Sequence, residues 1–74
     1  MENTQTAINT LFGPLMVTFY LAYADCDVIC FDDEFVNLDE ARDVAFEISA
    51  ETNRRINVYE TWGLSEHLVE SVLA

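Results

Sequence analysis

The chain has no lysine. Three arginines are its only permanent cations, they face fourteen carboxylates, and the formal net charge is -11 over 74 residues. Phosphate recognition needs cations, so this balance argues against direct binding to DNA, RNA or an anionic membrane surface and points to a basic protein as partner. Histidine is almost as scarce. His67 stands alone beside Glu66 and Glu70, and no serine or cysteine sits in a glycine-rich elbow, so no nucleophile and base pair can be assembled. Adjacent carboxylates such as Asp32 and Asp33 need a desolvating cleft for acid–base work, and so short a chain leaves little room for one. No catalytic residue is assigned.

Metal ligands are also short. One histidine and two cysteines do not make a zinc site. Asp25, Asp27, Asp32, Asp33 and Glu34 are hard oxygen ligands, but the central glycine and terminal glutamate of an EF-hand loop are missing, so neither metal nor cofactor is expected. Cys26 and Cys30, placed in a strand, would lie about 13 Å apart at roughly 3.3 Å per residue, too far for a disulfide. They read as small buried hydrophobes. The longest apolar run, "LMVTFYLAYA", is too short for a membrane span, and "MENTQTAINTLF" lacks the basic and apolar regions of an export signal, so a soluble cytoplasmic protein is expected.

The chain does have material for a core. Hydrophobic residues make up 51% of it and five Phe, three Tyr and one Trp are present, enough for one compact domain over residues 1–74 despite the charge. Ala7, Ile8, Leu11 and Phe12 recur at helical spacing before Gly13 and Pro14 end the pattern. "LMVTFYLAY", Leu15 to Tyr23, is apolar on both faces, as a central strand is, and the turn "ADCD" leads to "VICF" as a second, hairpin-paired strand. Asn37 is an N-cap with Glu40 three residues on, and Leu38, Ala41, Val44, Ala45 and Ile48 form one face of the main helix. "RINVYETW" reads as a third strand. "LSEHLVESVLA" reads as a closing helix with Leu64, Leu68, Val72 and Leu73 inward. The fold class expected is α+β, in the order αββαβα, with a three-stranded antiparallel sheet of order 2-1-3 and helices packed on it.

Charge is the sharpest feature. Between Asp25 and Glu51 lie ten acids and one arginine, whereas the first 24 residues carry only Glu2. Asp39, Asp43 and Glu47 are spaced i, i+4, i+8, which sets like charges side by side at about 0.2–0.5 kcal/mol per pair, and the helix dipole offsets this only for Asp39 and Glu40 in the first turn. A surface that served only solubility would interleave both signs. Helix positions four apart rise about 6 Å, near twice the roughly 3.4 Å axial rise per phosphate on one DNA strand, so a row of such carboxylates can enter a groove built for phosphates. The candidate binding residues are Asp32, Asp33, Glu34, Asp39, Glu40, Asp43, Glu47 and Glu51. Phe35 and Phe46 lie among these acids as candidate interface anchors or packing residues. Tyr59 and Trp62 read as core or edge packing.

In size, charge and plan the chain resembles the small phage-encoded inhibitors of bacterial defence, the DNA-mimic members of the anti-CRISPR group. That likeness implies a non-enzymatic inhibitor in the host cell cytoplasm. It would occupy the DNA-binding groove, PAM-reading included, of a CRISPR-Cas surveillance or effector complex. A different reading is a small regulatory or assembly module, antitoxin-like or homodimeric, whose acids provide solubility while apolar strands or the last helix form the interface. Both monomer and homodimer fit the sequence.

Overall fold

The computed structural model describes residues 17–74. Strand β1 (Thr18–Tyr23) is followed by helix α1 (Leu38–Thr52), strand β2 (Ile56–Trp62) and strand β3 (Ser65–Val72). The strands form one antiparallel sheet in the order β1-β2-β3. The first expected helix, with Ala7, Ile8, Leu11 and Phe12, lies outside the described residues.

One face of the sheet packs on α1. Alternation along β1 turns Phe19 and Leu21 to the helix, where they meet Ile56 and Val58 of β2, Val72 of β3, and Ala41 and Ala45 of α1. Leu21, Ile56 and Val58 are fully buried, each stabilising the fold by about 1.5–3 kcal/mol relative to exposure. The two alanines let the helix approach closely. Asn37 starts α1 from an extended backbone, its Oδ1 accepting the Glu40 N–H at 3.1 Å. Asn53 ends it in the left-handed region (φ 58), where its N–H donates to the Ser49 carbonyl at 2.8 Å.

Three expectations are overturned. The sheet order is β1-β2-β3 and not 2-1-3, with a single helix among the described residues, because "VICF" does not form a strand. That segment touches β1 through one isolated bridge, Ala22 to Ile29, and the chain returns to β1 in a second, Phe19 to Phe35. Between them β1 advances three residues while its partner advances six, so three extra residues loop out and carry Asp32, Asp33 and Glu34 away from the ladder. β1 is consequently an edge strand whose outer rim this chain covers, and β2 takes the centre.

The closing segment is strand β3, not a helix. Trp62 pairs with Ser65 around a two-residue turn in which Gly63 has φ +62, the geometry that a type II′ hairpin asks of its first central residue. A register shift opposite Val58 and Tyr59 then inserts one residue into β3. Leu64, Leu68 and Val72 stand four apart in sequence and so read as a helical stripe, but the slip at Val69 sets Leu68 and Val72 on opposite faces of the sheet. Of these only Val72 is buried, and Leu64, Leu68 and Leu73 are exposed.

A candidate acidic interface on two faces

The helix supplies the first face. α1 buries Ala41, Ala45 and Ser49 against the sheet, which leaves Asp39, Glu40, Asp43, Glu47 and Glu51 exposed on its solvent side. Arg42 leans across this side, its Nη1 3.0 Å from Asp39 Oδ1 and its Nε 2.7 Å from Glu70 Oε1 on β3. The Glu70 hydrogen bond leads the effects that push its guanidinium further above the ordinary arginine range. Arg42 thus neutralises one end of the stripe. Among the described residues no cation pairs with Glu40, Asp43, Glu47 or Glu51. Phe46, 55% exposed, sits between Asp43 and Glu47 in sequence as an apolar element on this side.

The second face is the side of the sheet that α1 does not cover. Tyr20 and Tyr59 are cross-strand partners whose rings stack with centroids 5.1 Å apart and planes 18° apart. The Tyr20 hydroxyl donates to Glu66, and the Tyr59 hydroxyl donates to Asp27 at 3.1 Å. Burial, with the Glu66 carboxylate beside it, pushes the Tyr20 phenol well above its usual range, so it remains a proton donor. Thr18 and Thr61 share a 2.7 Å hydrogen bond, and Thr18 also donates to Glu34. Looped out at the β1 edge, Asp32, Asp33 and Glu34 join Tyr20, Phe31 and Glu66 around a cleft of about 340 Å³.

The ten residues expected to form one surface are therefore divided. Asp32, Asp33 and Glu34 border the cleft, and Asp39, Glu40, Asp43, Glu47, Glu51 and Phe46 lie on or beside the solvent face of the helix. Phe35 belongs to neither. It is 9% exposed in the core, stacks on Phe31 at 5.4 Å, and exchanges both backbone hydrogen bonds with Phe19, so it packs rather than presents an anchor.

A third cluster closes the β1 turn. The Arg54 Nη2 and Nε donate to the two oxygens of Asp25, at 2.7 and 3.1 Å, while its guanidinium lies 3.7 Å above the Tyr23 ring centroid. The hydrogen bonds from Arg54 hold the Asp25 carboxyl below the usual carboxylate range. Neither cysteine sits in a regular strand. Cys26 is exposed in this turn, and Cys30 is half-buried against the core, where burial raises its thiol; both are free. His67 is exposed on β3 with Nε2 2.6 Å from Glu60.

Tyr20, Tyr59, Asp27 and Glu66 were not anticipated as part of a site. Tyr20 and Tyr59 each stand in an expected strand with a threonine two residues away, but only the register of the ladder sets the two rings opposite each other. Glu66 was hidden by the helical reading of its segment. Among the described residues no three His, Cys, Asp or Glu side chains converge as a metal site, and no helix is long and apolar enough to cross a membrane. Comparison with protein-family models, characterised proteins and solved structures finds no match to the chain.

Proposed function

We propose that the protein is a non-enzymatic inhibitor that lays an acidic surface on the basic nucleic-acid site of another protein and so keeps DNA or RNA away from it. The observation that carries this reading is the solvent-facing row Asp39, Asp43, Glu47 and Glu51 on a capped, well-packed helix, of which only Asp39 is paired to a described cation. Folding does not require that row, since like charges four apart weaken a helix. A lysine- and arginine-lined groove would relieve the repulsion on contact. A CRISPR-Cas effector in the host cytoplasm is the instance to which the likeness in size and charge leads.

The test is a salt titration of the complex with the captured nucleic-acid-handling protein, repeated with Asp39, Asp43 and Glu47 reversed to lysine. Affinity should fall steeply between low and high salt, and reversal should restore nucleic-acid binding to the partner. Salt-independent affinity, or inhibition that survives reversal, would sink the proposal. The homodimer reading is favoured by one observation: among the described residues β3 is the outer strand of the sheet, with Leu68 and Val69 on it and Leu73 just beyond it exposed. Light scattering across a concentration series separates the two, because a functional dimer through β3 would persist at working concentration and would be broken by Val69→Lys.

A further inference from the structure

We propose that the open face of the sheet is a docking surface for an arginine side chain of the basic partner, received in the cleft between the Tyr20 side of β1 and the Asp32–Glu34 loop. This rests on the acidic-surface reading and gives it a specific contact. Its ground is charge complementarity on the sheet face that, among the described residues, α1 does not cover. The cleft joins aromatic and apolar walls from Tyr20, Phe31 and Ile29 to the carboxylates of Asp32, Asp33 and Glu66. No described cation pairs with these three carboxylates. Its volume of about 340 Å³ lies at the small end of the roughly 300–1,000 Å³ typical of ligand sites, which suits one long side chain better than a cofactor.

Arginine fits these walls better than lysine does. A guanidinium is planar, sheds water more readily than an ammonium, stacks on aromatic rings and donates in a fork to carboxylate oxygens. The protein already pairs the same components at its other corner, where Arg54 lies 3.7 Å over the Tyr23 ring and forks to both oxygens of Asp25. In the cleft the aromatic and carboxylate halves of that arrangement are present without the guanidinium. Tyr20 donates to Glu66 and so orients this carboxylate at the cleft wall.

The probes are three capped tripeptides, Gly-Arg-Gly, Gly-Lys-Gly and Gly-citrulline-Gly, titrated into the full chain and followed by amide chemical shifts. The arginine peptide should move Tyr20, Phe31, Asp32, Asp33, Thr61 and Glu66, bind at least about fivefold more tightly than the lysine peptide, and leave the α1 acids unmoved. Citrulline keeps the planar shape without the charge and should not bind. The double variant Asp33→Asn, Glu66→Gln should weaken the arginine peptide about tenfold, the scale of one lost charge-assisted hydrogen bond, with amide dispersion reporting that the fold is kept. Phe31→Leu, which retains apolar volume but removes the ring, should weaken arginine and leave the residual lysine binding unchanged. Equal binding of arginine and lysine, shifts spread over Asp39 to Glu51, or undiminished binding by the double variant would each overturn the proposal. So would concentration-dependent shifts on this face without peptide, which would assign it to a second copy of the chain. Charge reversal on α1 tests the acidic-surface reading separately: partner binding lost on helix reversal but unaffected by the cleft variants overturns the arginine site alone.

Discussion

The acid row on α1 makes an unusual demand: a substitution that weakens function should strengthen the fold. Glu47 lies four residues from both Asp43 and Glu51, and all three are exposed. In Glu47→Lys each i,i+4 pair changes from repulsion to attraction, a swing of about 0.4–1 kcal/mol per pair and roughly 0.8–2 kcal/mol for both, with the lower half expected at so exposed a site. A gain of about 1 kcal/mol should raise Tm by roughly 4–8 °C in a domain of this size. Thermal unfolding followed by circular dichroism in about 20 mM salt reads the gain. In about 1 M salt, where the Debye length shrinks to roughly 3 Å, most of it should vanish. Affinity for the basic partner should move the other way and fall. If Tm were unchanged or lower at low salt, or if the gain survived 1 M salt, the claim that this row strains the fold would fail, and its main support as a binding surface would go with it.

Other outcomes follow from the caps, the hairpin and the turn. Asn37→Ala removes the acceptor of the Glu40 N–H and should destabilise by about 1 kcal/mol in denaturant unfolding. Gly63→Ala should cost about 1–2 kcal/mol although its added Cβ meets nothing within 4 Å, because φ +62 is a left-handed conformation; Gly63→Asn should recover part of that loss. Asp25 has a folded pKa below its unfolded value because of Arg54, so its contribution is present above the unfolded carboxylate pKa and disappears as pH falls through the folded one. Arg54→Gln should therefore lower stability near neutrality, where that contribution is fully present, and leave it little changed at the acid end, flattening the acid limb of the stability–pH profile.

Legibility in the sequence followed the range of the forces involved. Helix α1 could be read because its signals are local: an Asn37 cap with Glu40 three residues on, and apolar residues three and four apart. β1 and β2 could be read from composition, and the pairing expected between the first and third strands is the β1–β2 ladder. "VICF" looked like a strand because Val, Ile and Phe favour one, yet the three carboxylates after Phe31 left the ladder and took the pairing with them. β3 failed for another reason. Its inserted residue returns Val72 to the core face while turning Leu68 outward, and no single-period pattern describes both. The acids themselves were legible, but their partition was not. Whether Asp32 shares a surface with Asp43 depends on which side of the sheet the helix covers, and that is set by long-range register.

This partition constrains how any basic partner can approach. The row on α1 points away from the sheet, while the cleft opens on the face of the sheet that the helix leaves bare, so a flat surface can dock on only one of them. A partner that engages both must wrap around the β1 edge, where the Asp32–Glu34 loop joins the two. Long-range attraction does not make that distinction. At physiological salt the Debye length is about 8 Å, so steering is governed by the summed charge and its gross placement more than by any one side chain. Neutralising one acid on either face should thus slow association by similar factors. Dissociation depends on contacts made after docking, and only acids on the docked face should speed it. Measuring both rates for Asp33→Asn and Asp43→Asn therefore identifies the docking face: equal losses in association with an off-rate change in one variant alone mark that variant's face as the one in contact, and changes in both off-rates require a partner that encloses the edge.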